Sequence, residues 1–208
     1  MFKIHPISKA SAILTLFAIV TTGLVTVTHL LTKQKITEEK NQAILKNINA
    51  IMPKALYNND ITTDCRIMTD NNQQAIRVFR ARLDNKPTGL VIESIAPDGY
   101  SGRIDLLVGI DTQQKIKGVR TTSHSETPGL GDKIEYKKSR WITFFNELKL
   151  TPENESSWAV RKDGGQFDQF TGATITPRAV VKSIKNTLLW AQQQDNIFEL
   201  DSNCGESK

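Results

Sequence analysis

The nine residues Asp168-Gln-Phe-Thr-Gly-Ala-Thr-Ile-Thr176 place three threonine hydroxyls on a turn of small residues, and Pro177 opens a helix-forming run directly after it. Thr176 is placed to cap that helix, and proline is favoured at a first helical position. Free backbone N–H groups at a helix N-terminus attract phosphate. A threonine hydroxyl therefore sits beside a place that suits a phosphate. A plain helix start with no ligand accounts for the same residues.

A second segment has chemical potential. His124-Ser-Glu-Thr-Pro-Gly-Leu-Gly-Asp132 combines a Pro-Gly pair with a second glycine, which predicts a compact loop that exposes its backbone. His124 and Glu126 have the chemistry of an acid–base pair, and equally that of turn residues. No GxGxxG or P-loop is present, and no spacing assigns a Ser/His/Asp set or a metal-binding His/Cys cluster. Neither a catalytic residue nor a metal ligand is expected.

The elements that must position these segments read as α+β. Ala75–Leu83 alternates as a strand, Asp84–Pro87 supplies a turn, and Gly89–Ala96 returns. A turn at Pro97–Tyr100 and strands over Gly102–Ile110 and Ile116–Thr122 complete a meander of about four strands, most simply antiparallel. Trp141, Phe144, Phe145 and Leu148 fall at helical spacing and predict a helix with an aromatic core face. Trp158–Val160 reads as a short strand and Asp163-Gly-Gly165 as a tight turn. The last helix is expected from Pro177 to about Gln194, its apolar face made of Val180, Ile184, Thr187, Leu188 and Ala191. The expected architecture is a largely antiparallel sheet with helices packed on it.

Residues Ala10 to Thr32 contain no Lys, Arg, Asp or Glu. That is roughly 23 residues, against the about 20 that span a bilayer as a helix. The run is too long for a signal peptide's apolar region and has no clean cleavage site, so it predicts an uncleaved anchor. Lys33–Met52 continues it as a helical linker, which Pro53 ends. The expected division is a tail over 1–9, a transmembrane helix over 10–32, a linker over 33–53 and one domain over 54–208. Lys3 and Lys9 precede the anchor, and Lys33, Lys35, Lys40 and Lys46 follow it. Counted alone, these put the domain in the cytoplasm, but long domains cross largely regardless of charge. The net charge of +5 is mild and scattered, unlike the basic face with stacking aromatics that nucleic acid requires. Cys65 and Cys204 form one disulfide in an oxidising compartment and are otherwise two free thiols.

Four features together resemble one family. They are the anchor, the Asp98-Gly-Tyr-Ser-Gly102 turn with Leu106-Leu-Val-Gly-Ile-Asp111, the Glu126-Thr-Pro-Gly-Leu-Gly-Asp-Lys-Ile-Glu135 loop, and Asp168–Thr176. The chain is similar over nearly its whole length to the G subunits of Rnf (Rsx) electron-transport complexes, relatives of the C subunit of the sodium-pumping NADH:quinone reductase. Asp168–Thr176 looks like that family's flavinylation motif, D-x-x-[ST]-G-A-T-x-[ST].

The resemblance implies an anchored electron carrier with FMN on Thr174 through a phosphoester, in a complex that couples electron flow to ion movement. It implies that Thr171, Gly172 and Ala173 shape the turn and that Ile175 and Thr176 complete it around the phosphate. Glu126, Thr127, Leu130 and Gly131 would lie near the flavin ring or ribityl chain. Asp168 would belong to the recognition signal of a separate flavin transferase, which takes FMN from FAD with magnesium. The implied partners are the A, B, C, D and E subunits of the Rnf complex, that transferase and membrane lipid, with no nucleic acid. The implied location is a bacterial inner membrane with the domain in the periplasm, against the lysine count and in favour of a Cys65–Cys204 disulfide. A freestanding anchored flavin reductase is the alternative, but it needs a nucleotide pocket for which no fingerprint is visible. A flavin-free structural subunit would be expected to have lost the acceptor threonine.

Overall fold

The computed structural model describes residues 6–204; most of the tail expected over 1–9, with Lys3, lies outside them. The chain forms two compact units, residues 1–43 and 44–208. The first helix, α1 (Pro6–Ile51), is 46 residues long. Its Ser8–Lys33 stretch is long and apolar enough to cross a membrane. Five threonines of that stretch keep their hydroxyls within the helix. Thr15, Thr21, Thr26, Thr28 and Thr32 each donate to the carbonyl four residues earlier, at 2.7–2.9 Å, so their donors are satisfied without water.

The second unit is α+β. Five strands pair antiparallel in chain order: β1 (Cys65–Thr69), β2 (Ala75–Leu83), β3 (Lys86–Gly99), β4 (Gly102–Asp111) and β5 (Ile116–Ser123). The expected four-strand meander is β2 to β5, and β1 is an added edge strand. The β2–β3 hairpin turns on Asp84 and Asn85 alone, both at positive φ, and Lys86 already pairs with Leu83. Asx residues tolerate the left-handed region that such two-residue turns need.

Alternation along the strands divides the apolar side chains between two faces. Ile76, Val78, Ile92, Leu106, Val108 and Ile110 face one core, which is completed by α2 (Ile175–Gln192). The long segment between β5 and α2 adds a cluster of aromatic rings. Trp141 stands edge-on to Phe145 and Phe170, at 5.4 and 5.1 Å, and Phe145 stacks on Phe167 at 4.5 Å. Phe79, Ala81, Val91 and Leu107 face the other core, with Ile48, Ile51 and Met52 from the end of α1. A glycine pair makes room for that helix end. Gly109 and Gly118 are cross-strand partners, and a Cβ on Gly118 would meet the Ile51 Cα at 2.8 Å. Arg120 then closes the helix, donating to the Ala50 carbonyl at 3.0 Å and stacking over Tyr136 at 4.2 Å.

Three local expectations are corrected. The helix expected from Trp141 is a five-residue 3-10 turn, Trp141–Phe145, which leaves Phe144 63% exposed. Glu147 takes a positive φ, and Leu148 reaches the core by strand-like pairing with Ile116 instead. Trp158–Val160 makes only an isolated bridge, between Val160 and Phe167, because the Asp163–Gly165 turn reverses the chain at once. Helix α2 begins at Ile175, two residues before Pro177. Proline is tolerated there because first-turn N–H groups have no intrahelical acceptor.

The C-terminal tail is strapped across β1 and β2. Arg80, 3% exposed, donates to Asp64 Oδ1 at 2.6 Å, to Ser202 Oγ at 2.6 Å and to the carbonyls of Ile197 and Leu200. Arg82 donates to Asp64 Oδ2 and to the Phe198 carbonyl, at 2.8 and 2.6 Å. Cys65 and Cys204 are bonded, with Cα atoms 5.7 Å apart and a separation of 139 in sequence. A link across so long a loop is expected to contribute about 2–4 kcal/mol. Thiol labelling of the denatured, membrane-purified protein should appear only after reduction. Equal labelling without reductant would rule out the bond in the cell.

Candidate functional site

Two glycine turns meet at the N-terminus of α2. In the first, Phe170 to Ala173, the Ala173 N–H donates to the Phe170 carbonyl at 3.0 Å and Gly172 has φ 80°. A hydrogen-bonded turn with positive φ at its third residue is the type II pattern, which favours glycine there. In the second, Thr127 to Leu130, the Leu130 N–H donates to the Thr127 carbonyl at 3.2 Å. Pro128 and Gly129, the latter at φ 77°, fill the two central positions that a type II turn asks of them. The turns touch: a Cβ on Gly172 would lie 3.7 Å from Leu130 Cδ2.

Thr174 follows the first turn as the N-cap residue of α2, without a side-chain capping bond. Its half-buried hydroxyl makes no hydrogen bond to any described residue. The cap role expected of Thr176 is therefore corrected. Thr176 is inside the helix, 0% exposed, and its hydroxyl donates to Glu126 Oε2 at 2.5 Å. Among the described residues, the N–H groups of Ile175 and Thr176 meet no protein acceptor, so both remain free at the positive end of the helix.

Glu126 is 4% exposed and joins three segments. Its Oε2 accepts from Thr176, and its Oε1 accepts from the Ser101 N–H at 3.0 Å. Its own N–H donates to His124 Nδ1 at 3.0 Å, which leaves the His124 Nε2 hydrogen to reach Glu135 Oε1, also at 3.0 Å. Glycines permit this closeness. A Cβ on Gly131 would stand 2.8 Å from Thr176 Oγ1 and 2.9 Å from Glu126 Oε2, and one on Gly99 would stand 2.7 Å from Glu126 Oε1. Asp132 is also buried; its Oδ1 has no hydrogen-bond partner, and Lys138 stands 3.7 Å from its Oδ2.

Beside this polar centre two large apolar side chains stand at the surface. Leu130 is 42% and Ile175 44% exposed. Thr171 is exposed on its turn. Asp168 lies at the surface, with its carboxylate 3.0 Å from Arg161 Nε and its carbonyl accepting from Trp141 Nε1 at 2.8 Å. Arg178, in the first turn of α2, grips Asp163 with two bonds of 2.5 and 2.8 Å. That guanidinium holds the Asp163 carboxyl below the usual carboxylate range. Among the described residues, no group of three His, Cys, Asp or Glu side chains is placed to hold a metal ion.

The structure therefore gathers Thr171–Thr176, Glu126, Thr127, Leu130 and Gly131 at one place and leaves Asp168 at its edge. Sequence reasoning missed the Ser101 N–H and the Thr176–Glu126 bond. The bonded pair is 50 residues apart, so no local spacing signals it. The group fits a flavin phosphate: an unbonded hydroxyl, two free N–H groups at a helix N-terminus, and apolar side chains for a flat ring.

Comparison with known proteins agrees. Residues 99–189 match the FMN-binding domain family, and residues 1–51 match the RnfG N-terminal region. Three relatives are named as G subunits of ion-translocating oxidoreductase complexes. The one from Photorhabdus laumondii is 48% identical over 197 residues, covering 93% of this chain and 94% of the relative. The one from Aliivibrio fischeri is 45% identical over 201 residues, covering 94% and 96%. The one from Shewanella oneidensis is 42% identical over 205 residues, covering 96% and 97%. With an FMN-binding domain over residues 99–189 and this similarity along nearly all its length, the chain belongs to the family of G subunits of ion-translocating oxidoreductase complexes.

Proposed function

We propose that this chain is the membrane-anchored electron carrier of an ion-translocating complex, holding FMN covalently through a phosphoester on Thr174. The observation that carries the reading is the Thr174 hydroxyl, half-buried and unbonded at the head of an 18-residue helix. FMN, when bound, supplies the redox chemistry, and the protein supplies position and surroundings.

The chain's own residues divide that work. Thr174 provides the ester oxygen. The Ile175 and Thr176 N–H groups face the remaining phosphate charge, an interaction worth about 0.3–1 kcal/mol at an exposed helix end. Thr171, Gly172 and Ala173 set the turn. Leu130 and Ile175 offer the ring an apolar seat, and Glu126, Thr127 and Gly131 hold the opposing loop. Because, among the described residues, no base is hydrogen-bonded to the Thr174 hydroxyl, the residue is a poor nucleophile on its own. Attachment therefore requires a separate flavin transferase, for which the exposed Asp168 is the recognition residue.

The Ser8–Lys33 helix supports the anchor, with lipid around it and the A to E subunits of the complex as neighbours. On this reading the helix lies in the inner membrane and the FMN-binding domain in the periplasm. An attached cofactor cannot diffuse from such a compartment. Intact mass tests the reading. Protein purified from membranes of cells containing the transferase should be heavier by FMN less one water. An unmodified mass from those cells would defeat it.

A further inference from the structure

We propose that Glu126 is the positioning residue of the attachment site, a buried clamp that acts through Thr176 to hold the first turn of α2 in place. The proposal rests on reading Thr174 as the flavin acceptor, and it adds what keeps that acceptor in position.

Both carboxylate oxygens of Glu126 are engaged, each by a different segment. Oε1 takes the Ser101 N–H of the β3–β4 turn, and Oε2 takes the Thr176 hydroxyl of α2. The residue belongs to the third segment, the loop that carries Leu130 and Gly131. Its backbone is fixed in turn by His124, which is itself tied to Glu135 at the far end of that loop. Gly99 and Gly131 leave no room beside the carboxylate for a Cβ, so the three segments close around it.

Thr176 is two residues beyond Thr174 in the same helical turn. Fixing its side chain fixes the peptide units whose N–H groups are free and the Cα from which the Thr174 hydroxyl projects. Among the described residues, no lysine or arginine pairs with Glu126. Its charge is met by the Ser101 N–H, the Thr176 hydroxyl and the N-terminus of α2, which favours a nearby anion. A hydrogen bond to a charged, buried group is among the stronger kinds, and its loss leaves the carboxylate oxygen unsatisfied.

Thr176→Val and Thr176→Ser separate the bond from the packing. Valine keeps the shape without the hydroxyl, and serine keeps the hydroxyl without the methyl. Each is made in the full chain, alongside Glu126→Ala, and measured in two ways. The first is amide hydrogen exchange over residues 178–182, whose N–H groups bond to the carbonyls of the first turn, in flavin-free protein. The second is the rate of flavin attachment in the presence of the transferase. Thr176→Val and Glu126→Ala should each speed exchange there by about tenfold or more and slow attachment by a similar factor. Thr176→Ser should stay near wild type in both. The double variant Glu126→Ala with Thr176→Val should be no worse than Glu126→Ala alone, as expected when two changes remove one interaction.

A valine variant with wild-type exchange and wild-type attachment would overturn the clamp, as would a serine variant that fails like valine. If the wild type gains no flavin at Thr174, the acceptor assignment falls, and the exchange comparison in flavin-free protein still decides the clamp.

Discussion

Thr174→Ala should remove all covalent flavin, while Thr174→Ser should retain it. The expected change is all or none because the hydroxyl is the only atom the ester can use. The variant should also fold normally. Replacing a capping threonine ordinarily costs about 0.5–2 kcal/mol. Thr174 makes no capping bond, so the cost here should lie within about 0.5 kcal/mol. In-gel flavin fluorescence after denaturation reads the first expectation, and a melting curve reads the second. Fluorescence that persists in the alanine variant would remove Thr174 from the account. The two other hydroxyls of the motif predict different behaviour. Thr171 is exposed on its turn, and Thr171→Ala should keep its flavin. Thr176 is buried and bonded to Glu126, so it is out of reach of a transferase.

Arg80→Met should destabilise the domain by about 3–5 kcal/mol, the cost of breaking a buried ion pair by removing one partner. Arg80 is 3% exposed, and its guanidinium serves Asp64, the Ile197 and Leu200 carbonyls and Ser202. Methionine fills much of its volume and satisfies none of these acceptors. Arg82→Met should cost less, because that side chain is 20% exposed and water can reach the groups it leaves. Urea unfolding of the two variants measures the order. An Arg80→Met midpoint equal to wild type would mean that the tail does not depend on this residue. The tail is also held by the Cys65–Cys204 bond, so the loss should be larger in reduced protein.

Much of this was legible where periodicity and turn chemistry agree. Ala75–Leu83 alternates cleanly and is β2. The Pro-Gly loop and the Gly172 turn announce themselves because positive φ at the third residue of a turn favours glycine. β1 was not legible. It is five residues long at the sheet edge, only Cys65 is buried along it and Ile67 faces outward, so it lacks a pattern to read. The aromatic run misled for the opposite reason. Trp141, Phe145 and Leu148 do reach the core, but Leu148 arrives after the turn has ended, so the helical spacing is coincidental. The start of α2 was misplaced because a proline marks the first turn of a helix and not one position in it. That two-residue shift changed the roles of two threonines: Thr174 became the cap position and Thr176 a buried bond to Glu126. The contact that unites the site joins residues 50 apart, and only the folded chain brings them together.

The central claim is the identity of the acceptor atom, and peptide mapping of the membrane-purified wild-type protein tests it most directly. Cleavage after Lys162 and Arg178 releases Asp163–Arg178, a single peptide that contains Thr171, Thr174 and Thr176. Fragmentation of that peptide should place FMN, joined with loss of one water, on Thr174 and leave the other two threonines unmodified. FMN on Thr171 or Thr176, or an unmodified peptide from cells that contain the transferase, would contradict the account.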